Sequence, residues 1–374
     1  MNSEELFVYF ENQRSDFIRI LTSLVSHPTC SKDADDLNRF IDHLENLFQG
    51  FGPSVQRIPT AYGDILSLSF FQKEKERLVL LAHGDTVKVS DATLPVKIEG
   101  DKFFGNGCYD MKNGIALFYF FLKALHELGL SCHKQIEILC TPDEEIGSPA
   151  STPFLLKQCR GAKAVLLPEP CCPDGGVKIR RKGVALLRAR LKGKAAHSGI
   201  EPEKGRDANR GLVRLVAQID AILEKYPDVS FNPGIVSGGI GTNIVSPESC
   251  LEGEFRSYSN RLLKEVIKAM GTIRNVEDVE VDISVETHHP ALEFDAKNRK
   301  LYTLAKKIGD SFGYELPSCS TGGASDGSTL SSAGIPVLDG LGMKGGGAHT
   351  PDEYIELSDF SYRAVLLTKL GMEI

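Results

Sequence analysis

Three apolar runs that end in polar residues constrain the fold of this chain more than any other feature. The runs read RLVLLAHGD, QIEILCTPDEE and AKAVLLPEP, and each has the length and composition of a buried strand. Helical patterns lie between them, including GIALFYFFLKALHELGL. Strands that alternate with helices predict βαβ units and a mainly parallel sheet flanked by helices. The sequence therefore indicates an α/β fold whose site lies at the carboxyl ends of the strands.

A change of pattern near Gly176 indicates a second domain, which is expected because 374 residues exceed one ordinary core. From there, VKIRRKGVALLRARLKGKA alternates polar and apolar residues, as a half-exposed strand does. The segments that follow predict the order β-α-β-β-α-β, the split βαβ (ferredoxin-like) motif of a small α+β domain. The α/β pattern then returns. We therefore predict a discontinuous α/β domain over 1–176 and 287–374, with an inserted domain over 177–286.

Composition excludes several classes of protein. The net charge of −7 argues against nucleic acid or an anionic membrane as a partner, and no apolar run approaches the roughly 18 residues of a membrane span. The first residues, MNSEELFVYFENQRSDF, lack the basic and apolar regions of a signal peptide. The nine cysteines are scattered without a Cys-x-x-Cys pair, so we expect free thiols, no thiolate zinc site and a cytoplasmic location.

Polar residues at the predicted strand ends and in two glycine-rich loops form a set typical of a metal site. Taken singly, each has an ordinary explanation: His83 ends a strand, Asp110 precedes a helix as an N-cap does, and His349 lies in a loop. Three strand ends that carry carboxylates at one edge of a sheet would repel one another without a cation, however. Two histidines and three carboxylates suit two zinc ions bridged by one carboxylate. This set is His83, Asp110, Glu145, Glu169 and His349.

The adjacent Glu144 and Glu145 are expected to have different roles. Neighbouring residues that leave a strand point to opposite sides, so the two are not equivalent ligands on one side. We interpret Glu145 as the metal ligand and Glu144 as the general base. By the same two-residue period, Asp85 lies on the face of His83 and is expected to orient its ring.

Nine short motifs resemble the di-zinc aminoacylase and carboxypeptidase family, which includes carboxypeptidase G, acetylornithine deacetylase and succinyl-diaminopimelate desuccinylase. They occur in the order and spacing of that family across almost the whole chain. The closing segment is most similar to the carboxypeptidase G branch. The motifs are LAHGDTV, GNGCYDMKNG, TPDEEIGS, LLPEP, GKAAHSG, GTNIVSPE, EFRS, GGASDGSTLSSAGIPV and GAHTPDEYI.

The resemblance implies how the set divides. His83 and Glu169 would hold one zinc ion, Glu145 and His349 would hold the other, and Asp110 would bridge the two. Cobalt and manganese also suit these ligands. The resemblance further implies a cis peptide bond after Asp110, and it leaves Glu144 as the base.

For the inserted domain, the resemblance implies a lid that also forms a homodimer. His197 would reach the active site of the partner subunit and polarise the scissile carbonyl. Arg256 would pair with a substrate carboxylate. Basic residues of the lid and a glycine loop, which offers backbone N–H groups, complete the expected substrate contacts. The substrate-binding residues are expected to be Lys182, Asn243, Arg256 and Gly323.

These features predict an enzyme, a zinc-dependent amidohydrolase that releases a C-terminal amino acid carrying a free carboxylate from a small peptide. N-acyl-amino-acid deacylation and dipeptide hydrolysis remain open alternatives, because they use the same metal centre. A non-catalytic binding protein on this fold would be expected to have lost Glu144 or a ligand, and none is lost here.

Overall fold

The structure, a computed structural model, describes residues 1–90 and 94–374. The helices within these residues are α1 (Ser3–Glu11), α2 (Arg14–Val25), α3 (Ala34–Phe48), α4 (Asn113–Glu127), α5 (Ser151–Gln158), α6 (Ala208–Leu223), α7 (Asn260–Met270), α8 (Ala296–Asp310), α9 (Asp326–Ser332) and α10 (Phe360–Glu373). The strands are β1 (Ser54–Ile58), β2 (Ile65–Phe70), β3 (Arg77–His83), β4 (Lys97–Glu99), β5 (Lys102–Phe104), β6 (Gln135–Thr141), β7 (Ala164–Leu167), β8 (Val177–Arg181), β9 (Gly183–Lys192), β10 (Val229–Gly238), β11 (Glu248–Ser257), β12 (Asn275–Val276), β13 (Val279–His289), β14 (Ser318–Thr321), β15 (Val337–Asp339), β16 (Gly345–Gly346) and β17 (Tyr354–Glu356).

The chain divides into two compact units. The first comprises Met1–Ile179, Phe294–Ser320 and Ser325–Ile374, and the second comprises Arg180–Glu293 and Thr321–Ala324. Each has its own hydrophobic core.

An eight-stranded sheet forms the centre of the first unit, in the order β1-β2-β6-β3-β7-β15-β8-β14. Its four middle strands, β6, β3, β7 and β15, are parallel, whereas β1, β2 and β8 pair antiparallel with their neighbours. Their burial explains the continuous apolar runs, since a strand covered on both faces does not alternate. The prediction of an α/β fold with a mainly parallel central sheet is confirmed.

Helix α4 is buried on nearly all sides and packs tightly against the turn that follows β7. A side chain at Gly114 would lie 2.4 Å from Cγ of Pro168, so only glycine permits this approach. The close contact fixes the segment that carries Glu169, one of the predicted ligands.

The segment SEELFVYFENQRSDFIRILTSLV has the apolar spacing that predicts one helix, but it forms two. Helix α1 ends at Glu11, and α2 begins at Arg14. The apolar spacing continues through the break because both helices bury one face in the same core. Of Asn2 and Ser3, the two residues that could cap this segment, Asn2 does so, since its side chain accepts a hydrogen bond from the backbone of Glu5 at 2.8 Å.

The second unit contains an antiparallel sheet in the order β10-β11-β9-β13-β12, with α6 and α7 packed against one face. The predicted β-α-β-β-α-β order is present, with the short β12 as an addition. The other face carries a ladder of ion pairs, including Arg190 with Glu248 at 2.7 Å and Lys192 with Glu280 at 3.2 Å. That face is therefore polar, which explains the alternating pattern of β9.

The expectation of free thiols throughout is wrong for two cysteines. Cys172 and Cys319 form a disulfide within the first unit, although 147 residues separate them in the chain. Only the packing of β14 beside the turn after β7 brings them together, so no spacing rule could reveal the pair. The cytoplasmic location, which the thiols had supported, stays a prediction. No helix in residues 1–90 and 94–374 has the length and apolar character needed to cross a membrane.

Candidate active site

The polar tails of three neighbouring strands meet at one edge of the central sheet. Strands β6, β3 and β7 are adjacent and parallel, so their carboxyl ends lie side by side. His83 is the last residue of β3 and pairs with Thr141, the last residue of β6. Glu145 follows β6 by four residues, and Glu169 follows β7 by two. Parallel topology thus explains why these side chains converge.

One cluster of possible metal ligands consists of His83, Asp110 and Glu169, whose ligand atoms all lie within 4.8 Å of one another. Nε2 of His83 is 3.1 Å from Oδ1 of Asp110 and 3.8 Å from Oε1 of Glu169. The other ring nitrogen, Nδ1, lies 2.9 Å from the backbone oxygen of Asp85. A carbonyl accepts only from N–H, so Nδ1 carries a proton and Nε2 is the ring nitrogen that faces the cluster.

A second cluster consists of Asp110, Glu145 and His349, again with ligand atoms within 4.8 Å. Nε2 of His349 is 3.1 Å from Glu145 and 3.5 Å from Oδ2 of Asp110. His349 adopts a left-handed backbone conformation with φ of 63°, next to a glycine-rich turn. Asp110 therefore belongs to both clusters and presents a different oxygen to each histidine. The peptide bond between Asp110 and Met111 is cis, as the family resemblance implied.

The electrostatics of the two clusters suit a cation. Burial lowers the pKa of His83, but hydrogen bonds to Asp110 and Asp85 together with nearby carboxylates hold this pKa well above its ordinary value. Hydrogen bonds to Asp110 and Glu145 raise the pKa of His349 to about 10. Burial and the charge of Glu169 raise the pKa of Glu144 well above its ordinary value. The carboxylates thus stabilise positive charge on the two histidines, as expected of a donor set that binds a cation. Two imidazoles and three carboxylates are also the donor chemistry of zinc, so these residues fit the implied metals.

Glu144 and Glu145 do not extend the strand. They begin a short 3₁₀ turn, Glu144–Ile146, so the strand alternation used to separate them is the wrong local geometry. Successive residues of a 3₁₀ turn still diverge, by about 120°. Glu145 contacts His349, whereas Glu144 belongs to neither ligand cluster.

The Asp85 carboxylate is fully buried and holds this turn in place. Oδ1 accepts from the backbone N–H of Glu144 at 3.0 Å, and Oδ2 accepts from that of Glu145 at 3.1 Å and from the hydroxyl of Ser31 at 2.8 Å. The same carboxylate is 3.5 Å from Nδ1 of His83. Asp85 was predicted only to orient His83, and its contacts to the turn require the tertiary structure.

Two other buried residues near the site were not assigned from the sequence. Asn113 donates to the carbonyl oxygens of Cys108 and Tyr109, and it thereby holds the segment before Asp110. Glu353 accepts hydrogen bonds from backbone N–H groups of the same segment. Both residues lie within motifs of the family resemblance, GNGCYDMKNG and GAHTPDEYI. Their place in these motifs is the sequence feature that could have identified them.

Asp143 directly precedes the two glutamates, and its contacts are those of a turn residue. Its carboxylate accepts from the backbone N–H groups of Ala150 at 2.7 Å and Ser151 at 3.2 Å, and from the hydroxyl of Ser151. These groups lie at the start of α5, so Asp143 anchors that helix terminus. It is in neither ligand cluster.

The remaining predicted site residues belong to the second unit. His197 and Asn243 are exposed and lie on two backbone segments that pair with each other, through a bridge between His197 and Ile244 and a bond from Ser198 N–H to the Asn243 carbonyl at 3.0 Å. Lys182 is half-buried, with Nζ 5.5 Å from the centre of the Tyr258 ring.

Arg256 and Gly323 lie in a network within the same unit. The Arg256 guanidinium pairs with both carboxylate oxygens of Glu254, at 2.6 and 3.1 Å, and donates to the carbonyl of Gly322 at 2.7 Å. Arg181 donates to the carbonyls of Gly323 and Ala324. The loop is thus held by two arginines, and Glu254 balances the charge of Arg256.

The fold and the two ligand clusters define a metallopeptidase-type hydrolase. Residues 79–373 match the model of Peptidase family M20/M25/M40, and the chain belongs to this family. The resemblance inferred from the motifs is therefore confirmed.

Individual relatives agree with the family match. Carboxypeptidase G2 of Pseudomonas sp. is 28% identical, over 99% of this chain and 92% of that protein. Among solved structures, aminopeptidase PepT of Bacillus cereus superposes with a TM-score of 0.80 at 22% identity, over 96% of this chain and 98% of that one. A dinuclear metal-binding peptidase of Bacillus subtilis gives a TM-score of 0.74 at 15% identity, over 97% and 98% of the two chains.

Proposed function

We propose that this chain is a di-zinc amidohydrolase that cleaves the amide bond next to an amino acid with a free carboxylate. The observation that carries the proposal is the position of Asp110, whose two carboxylate oxygens face ring nitrogens of two different histidines. Similarity to Carboxypeptidase G2 over nearly the whole chain favours release of a C-terminal amino acid.

The metal ligands in this proposal are the five residues of the two clusters. His83 and Glu169 would hold one ion, Glu145 and His349 would hold the other, and Asp110 would contribute one oxygen to each. When bound, such a pair of ions supplies Lewis-acid activation of water and of the substrate carbonyl. Zinc is proposed because it accepts mixed imidazole and carboxylate ligands, and cobalt and manganese also accept this set.

The chemical steps that we assign to the protein are proton transfers and charge stabilisation. Glu144 takes a proton from the attacking water and later gives it to the leaving amine. Glu144 is adjacent to the proposed ligand Glu145 but lies outside both ligand clusters, which leaves its carboxylate available for both steps. Asp85 positions Glu144 through its backbone, and His197 stabilises the oxyanion that develops on the scissile carbonyl.

Arg256 is the proposed receptor for the free carboxylate of the substrate, with Lys182, Asn243 and the backbone at Gly323 as further contacts. Glu254 and the Gly322 carbonyl take three of the five N–H donors of the arginine. The network therefore presents the guanidinium in one fixed orientation, which favours a planar, bidentate partner.

Substitution of Arg256 by methionine is expected to raise KM for a free-acid substrate by about 10- to 100-fold, the value of one or two charge-assisted hydrogen bonds. The matching substrate with an amidated carboxyl group should be cleaved equally poorly by both proteins, since it lacks the carboxylate with which Arg256 would pair. The matched control is Arg188→Met, which removes an exposed arginine on the same sheet. Equal losses on the acid and on the amide would contradict carboxylate recognition by Arg256.

N-acyl-amino-acid deacylation and dipeptide hydrolysis remain alternatives, and a binding protein without turnover is a third. A panel of acylated amino acids, dipeptides and longer peptides with free C-termini separates them when it is assayed with the zinc-loaded protein. We expect the highest kcat/KM on substrates that release a C-terminal amino acid. Zinc bound at two ions per chain without turnover on any substrate would favour the binding protein instead.

We further propose that the chain forms a homodimer through the inserted domain. In the second unit, β10 pairs on only one side, with β11, and so is an edge strand of its sheet. Ile235 and Val236 on this strand are 60% and 58% exposed, and Val213 on α6 is 69% exposed. An edge strand with exposed apolar side chains is the kind of surface that pairs with a second copy.

Mixing two inactive variants tests the dimer and the role of His197 together. If His197 acts on the active site of the partner, His197→Ala and Glu144→Gln subunits should regain up to about a quarter of wild-type activity, because half of the dimers contain one intact site of two. Each variant alone should stay inactive and bind zinc normally. Activity that does not rise after subunit exchange, with mixed dimers shown by mass spectrometry, would place His197 on the site of its own chain.

A further inference from the structure

Glu353 is a buried carboxylate for which the proposed chemistry has no task. It is 2% exposed, it directly precedes β17, and it lies four residues after the candidate ligand His349. Its oxygens accept three backbone hydrogen bonds: Oε1 from Tyr109 and Asp110, each at 2.8 Å, and Oε2 from Gly107 at 2.6 Å. All three donors belong to the segment that ends at Asp110.

The backbone of Glu353 also contacts the start of this segment, since its carbonyl accepts from the N–H of Gly105 at 3.2 Å. Gly107 has φ of 73°, and a side chain there would lie 2.5 Å from Thr86. The chain between residues 105 and 110 thus curves around the Glu353 carboxylate. Successive N–H groups that converge in this way form an anion site. Here the anion is a side chain of the protein.

We propose that Glu353 is a positioning residue that fixes Asp110 between the two ligand clusters. The inference rests on the proposed function, in which Asp110 bridges two zinc ions. Glu353 binds the backbone N–H of Asp110 directly, and it is tied to His349 by a short stretch of chain. One residue therefore sets the separation of two ligands of the same ion. Second-sphere contacts of this kind typically change metal affinity by about 10- to 100-fold when they are removed.

Only a carboxylate of this length satisfies the three donors. A glutamine has one acceptor oxygen, and its NH₂ group would face an N–H donor of the segment. An aspartate keeps both oxygens but is one methylene shorter, so it cannot reach the same three N–H groups. Both substitutions should leave Asp110 present but misplaced.

The test is zinc binding by metal-free protein, measured by calorimetry for the wild type, Glu353→Gln and Glu353→Asp. We expect the two variants to bind at least one zinc ion about 10- to 100-fold more weakly. The visible absorption spectrum of Co²⁺-loaded protein should also change, because the spectrum reports the geometry of the ligands. Asp352→Asn is the matched control, since Asp352 is the neighbouring acid and is exposed. It should leave both measurements unchanged.

The outcomes separate the inference from the function on which it rests. If the wild type binds no zinc, the proposed function fails. If the wild type and both Glu353 variants bind two zinc ions with equal affinity and identical cobalt spectra, only the positioning role fails. A purely structural role would lower the melting temperature of the metal-free protein and leave the zinc affinity of the folded protein unchanged. If Glu353→Gln does not fold, Glu353→Asp decides by the same criteria.

Discussion

Replacement of Asp110 by asparagine is expected to reduce the zinc content of the purified protein from two ions per chain toward none. Asp110 is the one residue shared by the two ligand clusters of the described chain, and its two oxygens face His83 and His349. An amide offers one neutral acceptor oxygen in place of two charged ones, so one ion loses this ligand and the other keeps only a weaker one. Loss of metal assistance worth several kcal/mol lowers kcat/KM by about 10³-fold or more.

Glu145→Gln is the matched variant for this experiment. Glu145 belongs to one cluster only, so this protein should keep about one zinc ion per chain, held by the cluster of His83 and Glu169. Metal content is measured by elemental analysis after dialysis against metal-free buffer. If Asp110→Asn retained two ions, or if Glu145→Gln lost both, the assignment of a shared ligand would be wrong.

Replacement of Glu144 by glutamine is expected to lower kcat by about 10²- to 10⁴-fold, the usual contribution of a general base. Zinc content should stay at two ions, because Glu144 is in neither ligand cluster. The backbone of the turn should also be preserved, since Asp85 holds Glu144 through its N–H and not through its side chain. KM should change little, so the loss appears in kcat.

Comparison with Glu145→Gln separates the role of a general base from the role of a metal ligand. The two glutamates are adjacent, yet one substitution should remove activity with the metal retained and the other should remove metal as well. Single-turnover measurements with the zinc-loaded protein show whether the chemical step is slowed. A Glu144→Gln protein that kept more than a tenth of wild-type kcat, or that lost zinc, would exclude Glu144 as the base.

Much of the fold was predictable because the local spacing of apolar and polar residues indicates it. Both-face burial makes β3, β6 and β7 continuous apolar runs, and half-exposure makes β9 alternate. The division of the N-terminal segment into α1 and α2 was missed, because periodicity persists wherever two short helices face the same core. The disulfide between Cys172 and Cys319 was missed because contacts across 147 residues leave no periodic signal.

The candidate site was likewise predicted only in part. The five proposed ligands were named from the sequence. Three of them, His83, Glu145 and Glu169, stand where parallel strands end at one edge of the sheet, and Asp110 and His349 lie in glycine-rich loops. The contacts that hold these ligands in place were not predicted from the sequence. Asp85 was expected to serve His83, but its carboxylate also anchors the backbone of Glu144 and Glu145. The Glu353 carboxylate reaches a segment more than 240 residues earlier in the chain.

The sequence by itself determined which chemical groups the chain offers to the candidate site and whether they stand at a strand end or in a glycine-rich loop, since both follow from residue type and from short-range patterns. Only the tertiary structure decided that Asp110 turns one oxygen to each histidine, and that Asp85 and Glu353 hold the ligand-bearing loops by their backbone N–H groups. These features depend on angles and distances between segments remote in the chain. Every residue except proline offers the same backbone N–H group, so residue type does not show which of these groups will donate to a buried carboxylate.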